Sequence, residues 1–195
     1  MLEVPSKGHF EHFARLERVE RILVYGVTGS GKSTLAARTA SRLGLPFYAM
    51  DDLTWEQGWV PVPEQEQRRR VAEVVANKAW VIDASYGSWN DLVLERVELI
   101  VGLDLPRAVS LSRLLRRTLS HILRRTPTCN GNIETWRNTF FDRDSILIWH
   151  FKSFRRKRLR MRHWHSSPEF PETVLLRSAA EVEEWYAALP RFRPS

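Results

Sequence analysis

From Gly26 to Ser33 the chain reads Gly-Val-Thr-Gly-Ser-Gly-Lys-Ser, so that Gly26, Gly31, Lys32 and Ser33 satisfy the spacing G-x-x-x-x-G-K-[ST]. A loop of this kind turns successive backbone N–H groups onto phosphate oxygens, and the helix that follows adds the positive end of its dipole. Lys32 is placed to reach the terminal phosphates of ATP, and the Ser33 hydroxyl to ligate Mg2+. Thr28, Gly29, Ser30 and Thr34 complete the stretch that would line the nucleotide. Both flanks suit the motif: Ile22 to Tyr25 reads as a buried strand, and Leu35, Thr39 and Leu43 recur at helical spacing.

Two further carboxylate positions stand at the ends of apolar runs. Asp51 and Asp52 follow Phe47 to Met50, where one carboxylate could orient an acceptor hydroxyl or hold a water on magnesium; the alternation does not say which. Asp83 ends Trp80-Val-Ile and would hold the magnesium shell beside the phosphate loop. Tyr86 and Gly87 lie on the acceptor side or form a tight turn. Trp55 and Trp59 either stack on an acceptor ring or anchor a long loop.

Basic residues gather in two places. At about 100° per residue, Ala108, Leu111, Leu115, Leu119 and Ile122 share one face of a helix from Arg107 to Arg125, and Arg113, Arg117 and Arg124 the opposite one. Arginine suits bidentate phosphate contact, which makes Arg113 and Arg117 candidates to neutralise a transferring phosphoryl group. A second run, Arg155, Arg156, Lys157, Arg158, Arg160 and Arg162, is mixed with Trp149, Phe151, Phe154 and Trp164; it is either a solvated or lid-flanking helix or a nucleic-acid contact. His163 and His165 lack the acidic or cysteine partners of a metal site.

The elements that must position these groups alternate. A strand over 21–25 is followed by a helix to Leu43, stopped by Gly44 and Pro46, and by a short apolar run at 47–50. The polar, aromatic, proline-containing stretch 51–63 reads as a loop. Then come a helix from Glu64 to Ala79, a strand over 80–82, a turn and short helical piece, and a strand from Leu99 to Leu105 stopped by Pro106. Helix 107–125, a loop over 126–132, helix over 133–162 with one break, and a strand over 173–176 follow. Ser178 to Glu181 forms a capping box that opens a last helix with Val182, Trp185, Tyr186 and Leu189 on one face. Strands separated by helices imply an α/β fold, a parallel sheet covered on both sides, with ligands at the C-terminal strand ends.

With 195 residues, 43% hydrophobic and 27% charged, the chain is sized for one domain, and it carries no internal repeat or low-complexity linker. Residues 1–20 precede the first strand as an extension in which Phe10, Phe13, Leu16 and Val19 are spaced like one face of a short helix. The lone cysteine, Cys129, excludes an internal disulfide and suits the cytoplasm. No signal-peptide core and no run near ~18 apolar residues is present, so neither secretion nor membrane insertion is expected. The formal charge of +7 favours polyanions without choosing among them.

The chain resembles the small kinases of the adenylate-kinase-like superfamily, and within it the group described as DNA topology modulation proteins or adenylate kinases. The resemblance covers about 20–190 and rests on the phosphate loop, Met50-Asp51-x-Leu-x-Trp55, Gly58-Trp59 and Trp80-Val-Ile-Asp83 followed by Tyr86-Gly87. It continues in Leu103-Asp-Leu-Pro106, the Arg113 and Arg117 pair, Gly131-Asn132-x-Glu134 and Asp144-Ser-Ile-Leu-x-Trp149. Ala84-Ser85 stands where the group shows Gly-Asn. The resemblance implies a three-layer P-loop NTPase fold over 21–195, with a five-stranded parallel sheet in order 2-3-1-4-5 and an arginine-rich helical lid around 117–140. It further implies phosphoryl transfer from ATP, held with Mg2+ at a Walker A loop, to a small acceptor such as a nucleoside or nucleotide. The alternative is a nucleic-acid-binding regulatory NTPase.

Overall fold

The computed structural model describes residues 19–133 and 146–192. Phe10, Phe13 and Leu16 of the extension, Glu134, Asp144 and the distal part of the expected lid lie outside the described residues. The chain runs through β1 (Arg21–Gly26), α1 (Lys32–Leu43), β2 (Phe47–Tyr48), α2 (Met50–Thr54), β3 (Trp55–Glu56), β4 (Val60–Pro61) and α3 (Glu64–Ala76). It continues through β5 (Trp80–Ile82), α4 (Asn90–Leu94), β6 (Leu99–Leu103), α5 (Arg107–Arg124), a 3-10 turn (Cys129–Gly131), α6 (Ile146–Ser166), β7 (Glu172–Leu176) and α7 (Ala179–Ala188).

Five strands form one parallel sheet in the order β2-β5-β1-β6-β7, which is 2-3-1-4-5 when only its own strands are counted. The chain builds outward from β1 to one side, then to the other, so β1 ends at the topological switch point where such sheets bind ligands. Alternation along β1 shows why both faces are covered. Ile22 and Val24 pack with Leu35, Ala36 and Ala40 of α1 and Trp185 near the chain end, whereas Leu23 and Tyr25 pack with Val71 and Val75 of α3, Val93 of α4, and Met161 and Trp164 of α6. Among the described residues no helix is long and apolar enough to cross a membrane.

Three expectations change. Residues 51–63 are not a loop: Met50, fully buried, starts α2, and β3 and β4 close a hairpin through Gly58 and Trp59. Elements of two to five residues are too short to show a period. Helix α3 stops at Ala76 rather than Ala79, because the Asn77 side chain donates to the carbonyls of Glu73 (3.1 Å) and Val74 (3.0 Å). On α5 the buried residues are Ser110, Leu114 and Thr118, while Ala108 and Leu119 are exposed. The helix meets the phosphate loop at Gly29 through the Ser110 carbonyl and Leu114, so close backbone approach helps to select the buried face.

Candidate active site

The loop between β1 and α1 is shaped by two glycines in the left-handed region, Gly29 at φ 80° and Gly31 at φ 93°. At Gly29 a Cβ would also overlap the Ser110 carbonyl oxygen and lie 2.7 Å from Leu114 Cβ, so α5 can close on the loop only where there is no side chain. Gly31 is the N-cap of α1, which has no side-chain cap and no acidic residue in its first turn. Its leading N–H groups are therefore available to an anion. A pocket of about 460 Å3 opens here, lined by the loop from Gly29 to Thr34, by Arg113 and Arg117, and farther out by Arg38, Val182 and Glu183. Arg113 donates to the Ser30 carbonyl at 3.1 Å, and Arg38 is fixed by a two-pronged pair with Glu183 at 2.7 and 2.8 Å. Thr28 is held from behind: its carbonyl lies 3.0 Å from Nδ1 of His150, a buried side chain on α6.

Across the crevice, α2 and the turn after β5 bring carboxylates and a phenol together. Asp51 Oδ1 accepts the Tyr86 hydroxyl at 2.5 Å, whereas Asp52 is exposed, so Asp51 is the inward member of the pair. Burial, then the Asp51 carboxylate, push Tyr86 well above the ordinary phenol range, which keeps it a donor to Asp51. Asp83 is buried at the end of β5, and its Oδ1 accepts the Met50 N–H at 3.0 Å. Gly87 is exposed, with open space where a side chain would stand. Ser85, buried, donates to Asn90 Oδ1 at 2.6 Å and so serves the turn.

Magnesium keeps most of its waters and takes phosphate oxygens, so it needs only one or two protein groups. Ser33, exposed on the first turn of α1 and lining the pocket, and the carboxylate of Asp83 are compatible with that demand. Among the described residues no three His, Cys, Asp or Glu side chains converge as a metal cluster.

The near part of the expected lid lies against α2 and the β3–β4 hairpin. Asn132, buried, accepts the N–H groups of Gly58 (2.7 Å) and Trp59 (2.9 Å) and donates to the carbonyls of Glu56 (3.0 Å) and Cys129 (2.8 Å). Asn130 donates to the carbonyls of Asp52 (2.8 Å) and Trp55 (2.5 Å), and the Cys129 thiol to that of Asp51 (3.0 Å). Burial, with Asp52 beside it, pushes that thiol up to about 12. Trp59 donates its indole N–H to the Ile133 carbonyl at 3.3 Å and is an anchor; Trp55 meets it edge-on, 6.0 Å between ring centroids.

The basic run on α6 divides by function. Arg158 and Arg162 both bind the buried Asp104 carboxylate, at 2.6 and 2.8 Å, and tie α6 to the end of β6. Lys157 points into the core, while Arg155 and Arg156 stay exposed. From the sequence, Lys157 stands out only as one member of the basic run and Asp104 only inside Leu103-Asp-Leu-Pro106, and His150 and Asn130 not at all. The signal for two of them is there: His150, Phe154, Lys157, Met161 and Trp164 recur at helical spacing, so His150 and Lys157 sit within an otherwise largely apolar stripe.

No family model matches the chain. A Bacillus subtilis protein described as the uncharacterized protein YqaC is 28% identical over 100 residues, covering 50% of this chain and 56% of YqaC, so the match spans little more than half of that relative. Solved structures resemble nearly the whole chain. A gluconokinase from Sinorhizobium meliloti superposes with a TM-score of 0.51 at 20% identity, covering 87% of this chain and 88% of that one. A sugar kinase from Janibacter gives 0.50 at 18% identity, covering 89% and 99%. Shikimate kinase from Bacteroides thetaiotaomicron gives 0.51 at 17% identity, covering 87% and 95%. The chain has the three-layer α/β fold of these P-loop kinases.

Proposed function

We propose that the protein is an ATP-dependent kinase that moves the terminal phosphate to a small acceptor bound above Asp51. One observation carries this reading: β1 and β5 are neighbours in parallel register, so the phosphate loop after β1 and the Asp83 and Tyr86 group after β5, joined to α2 by the Asp83–Met50 and Tyr86–Asp51 hydrogen bonds, leave the same edge of the sheet side by side. Lys32 and the loop amides hold the phosphates, and Arg113 and Arg117 offset charge on the transferring group. Ser33 and Asp83 would hold Mg2+, which when bound neutralises phosphate charge. Asp51, braced by Tyr86, orients the acceptor hydroxyl and takes its proton. Trp55 and the exposed turn at Gly87 border the acceptor. Catalysis is positioning and charge neutralisation.

The sequence resemblance puts nucleosides and nucleotides among the candidate acceptors, although Trp55, Trp59 and Tyr86 suit many rings. The structural likenesses add gluconate, shikimate and sugars to the candidates. The single cysteine supports a cytoplasmic location. The rival, nucleic-acid-binding reading is weakened because Lys157 is buried and Arg158 and Arg162 are engaged by Asp104, which leaves a polymer fewer cations than the sequence run suggests. ATP consumption screened against nucleosides, nucleotides, gluconate, shikimate and sugars tests the proposal. An acceptor should stimulate ADP release in the wild type but not in Lys32→Ala. Undiminished turnover in that variant contradicts it.

A further inference from the structure

Lys157 is the one lysine or arginine among the described residues that is buried, 6% exposed on the inner face of α6. Its ammonium group stands 5.7 Å from the ring centre of Tyr86, the partner of Asp51, and 6.0 Å from that of Tyr25, the residue before Gly26 of the phosphate loop, and so lies between the two. The surrounding carboxylates are committed elsewhere: Asp104 to Arg158 and Arg162, Asp51 to Tyr86, and Asp83 to the Met50 N–H. Lys32 from α1 and Arg156 and Arg160 from its own helix repel its charge, and Asp51 attracts it. His150, about two turns earlier on α6, is held below the ordinary histidine range by burial first, and then by Arg107 and Lys157. A desolvated cation facing a second lysine is unfavourable for folding alone. An anion placed between the two lysines reverses that balance.

The geometry points to Lys157 as a second phosphate-holding cation, which with Lys32 brackets the terminal phosphate of a bound nucleoside triphosphate on its path toward Asp51. This rests on the kinase reading. In the transfer the acceptor oxygen bonds to the terminal phosphorus, and the bond from that phosphorus to its bridging oxygen breaks. The hydroxyl proton passes to Asp51, the electron pair leaves with the diphosphate, and Lys157 keeps its proton. Burial, then Lys32, hold the Lys157 ammonium down at about 7, so it is part-deprotonated at neutral pH. A phosphate between the lysines raises it again and draws in a proton.

Calorimetric titration of wild type, Lys157→Met and Lys157→Arg with Mg-ATP and Mg-ADP, at pH 7 in buffers of different ionisation enthalpy, tests this. Lys157→Met should bind ADP within threefold of wild type and ATP about 10- to 100-fold more weakly. Wild type should take up roughly half a proton more with ATP than with ADP, and Lys157→Met none. Lys157→Arg should recover most of the ATP affinity. The unliganded Lys157→Met protein should melt no lower than wild type, since it exchanges a buried charge for an apolar side chain of similar length. An unchanged ATP-to-ADP ratio in Lys157→Met overturns the inference alone, as does an equal loss of both ligands with a lower melting point. Failure of the wild type to bind either nucleotide overturns the kinase reading, and this inference with it.

Discussion

On the loop side of the crevice, the groups proposed to meet a ligand are largely backbone amides from eight consecutive residues, Gly26 to Ser33, set by two left-handed glycines and one helix start. On the opposite side they are side chains from separate segments: Asp51 from α2, Asp83 and Tyr86 after β5, Lys157 from α6, with Asn130 and Asn132 fastening the hairpin from outside. Amides at a helix start recognise phosphate and nothing else about a ligand. Side chains assembled across a fold can discriminate, because each contributes its own shape and charge. Under the proposed kinase reading, the loop half would fix the reaction class and the assembled half would decide the acceptor.

That division can be broken experimentally, most sharply at Lys32. Lys32→Ala should lower turnover about 1000-fold with every acceptor while the circular dichroism spectrum stays unchanged; a loss confined to one acceptor would blur the two halves. Asp51→Asn should lower kcat about 100-fold and leave the ATP Kd within threefold, read by single-turnover kinetics beside calorimetry. Asp104 belongs to neither half but orients α6, which reaches both. Asp104→Asn leaves Arg158 and Arg162 without their buried counter-charge and should destabilise the fold by about 3 kcal/mol in urea.

Asn132→Ala removes the clamp on the hairpin. It should raise acceptor KM and destabilise by about 2 kcal/mol with ATP binding intact. The smallest effect is in pH. Between about 7 and the ordinary lysine value of 10.5 the unfolded chain keeps a proton that folded Lys157 has lost, so this group makes stability rise with pH across that window. Lys157→Met should flatten that rise in urea titrations at pH 7 and 9; an identical slope in both proteins would place Lys157 in water rather than in the crevice.

The two halves also differ in how they read from sequence. The phosphate loop is contiguous, so its spacing alone predicted strand, loop and helix. The strand order followed from the resemblance, and the Ser178 cap, whose oxygen accepts the Glu181 N–H at 3.1 Å, from a local signature. The acceptor wall is non-local. Whether Asp51 or Asp52 turns inward depends on Tyr86, 35 positions away along the chain. The buried face of α5 could not be read from hydrophobicity, because it is set by the close approach of the Ser110 carbonyl and Leu114 to Gly29, a contact far away along the chain. Lys157 was masked by its arginine neighbours, whose charges suggested a solvated run.

The most direct measurement is acceptor-stimulated ADP release, with wild type and Asp51→Asn assayed side by side across nucleosides, nucleotides, gluconate, shikimate and sugars. A kinase built as described releases ADP at least about tenfold faster with one class of acceptor than with water, and Asp51→Asn loses that stimulation. No stimulation by any acceptor, together with nanomolar DNA or RNA binding that falls steeply with salt, would contradict it and favour the nucleic-acid-binding NTPase.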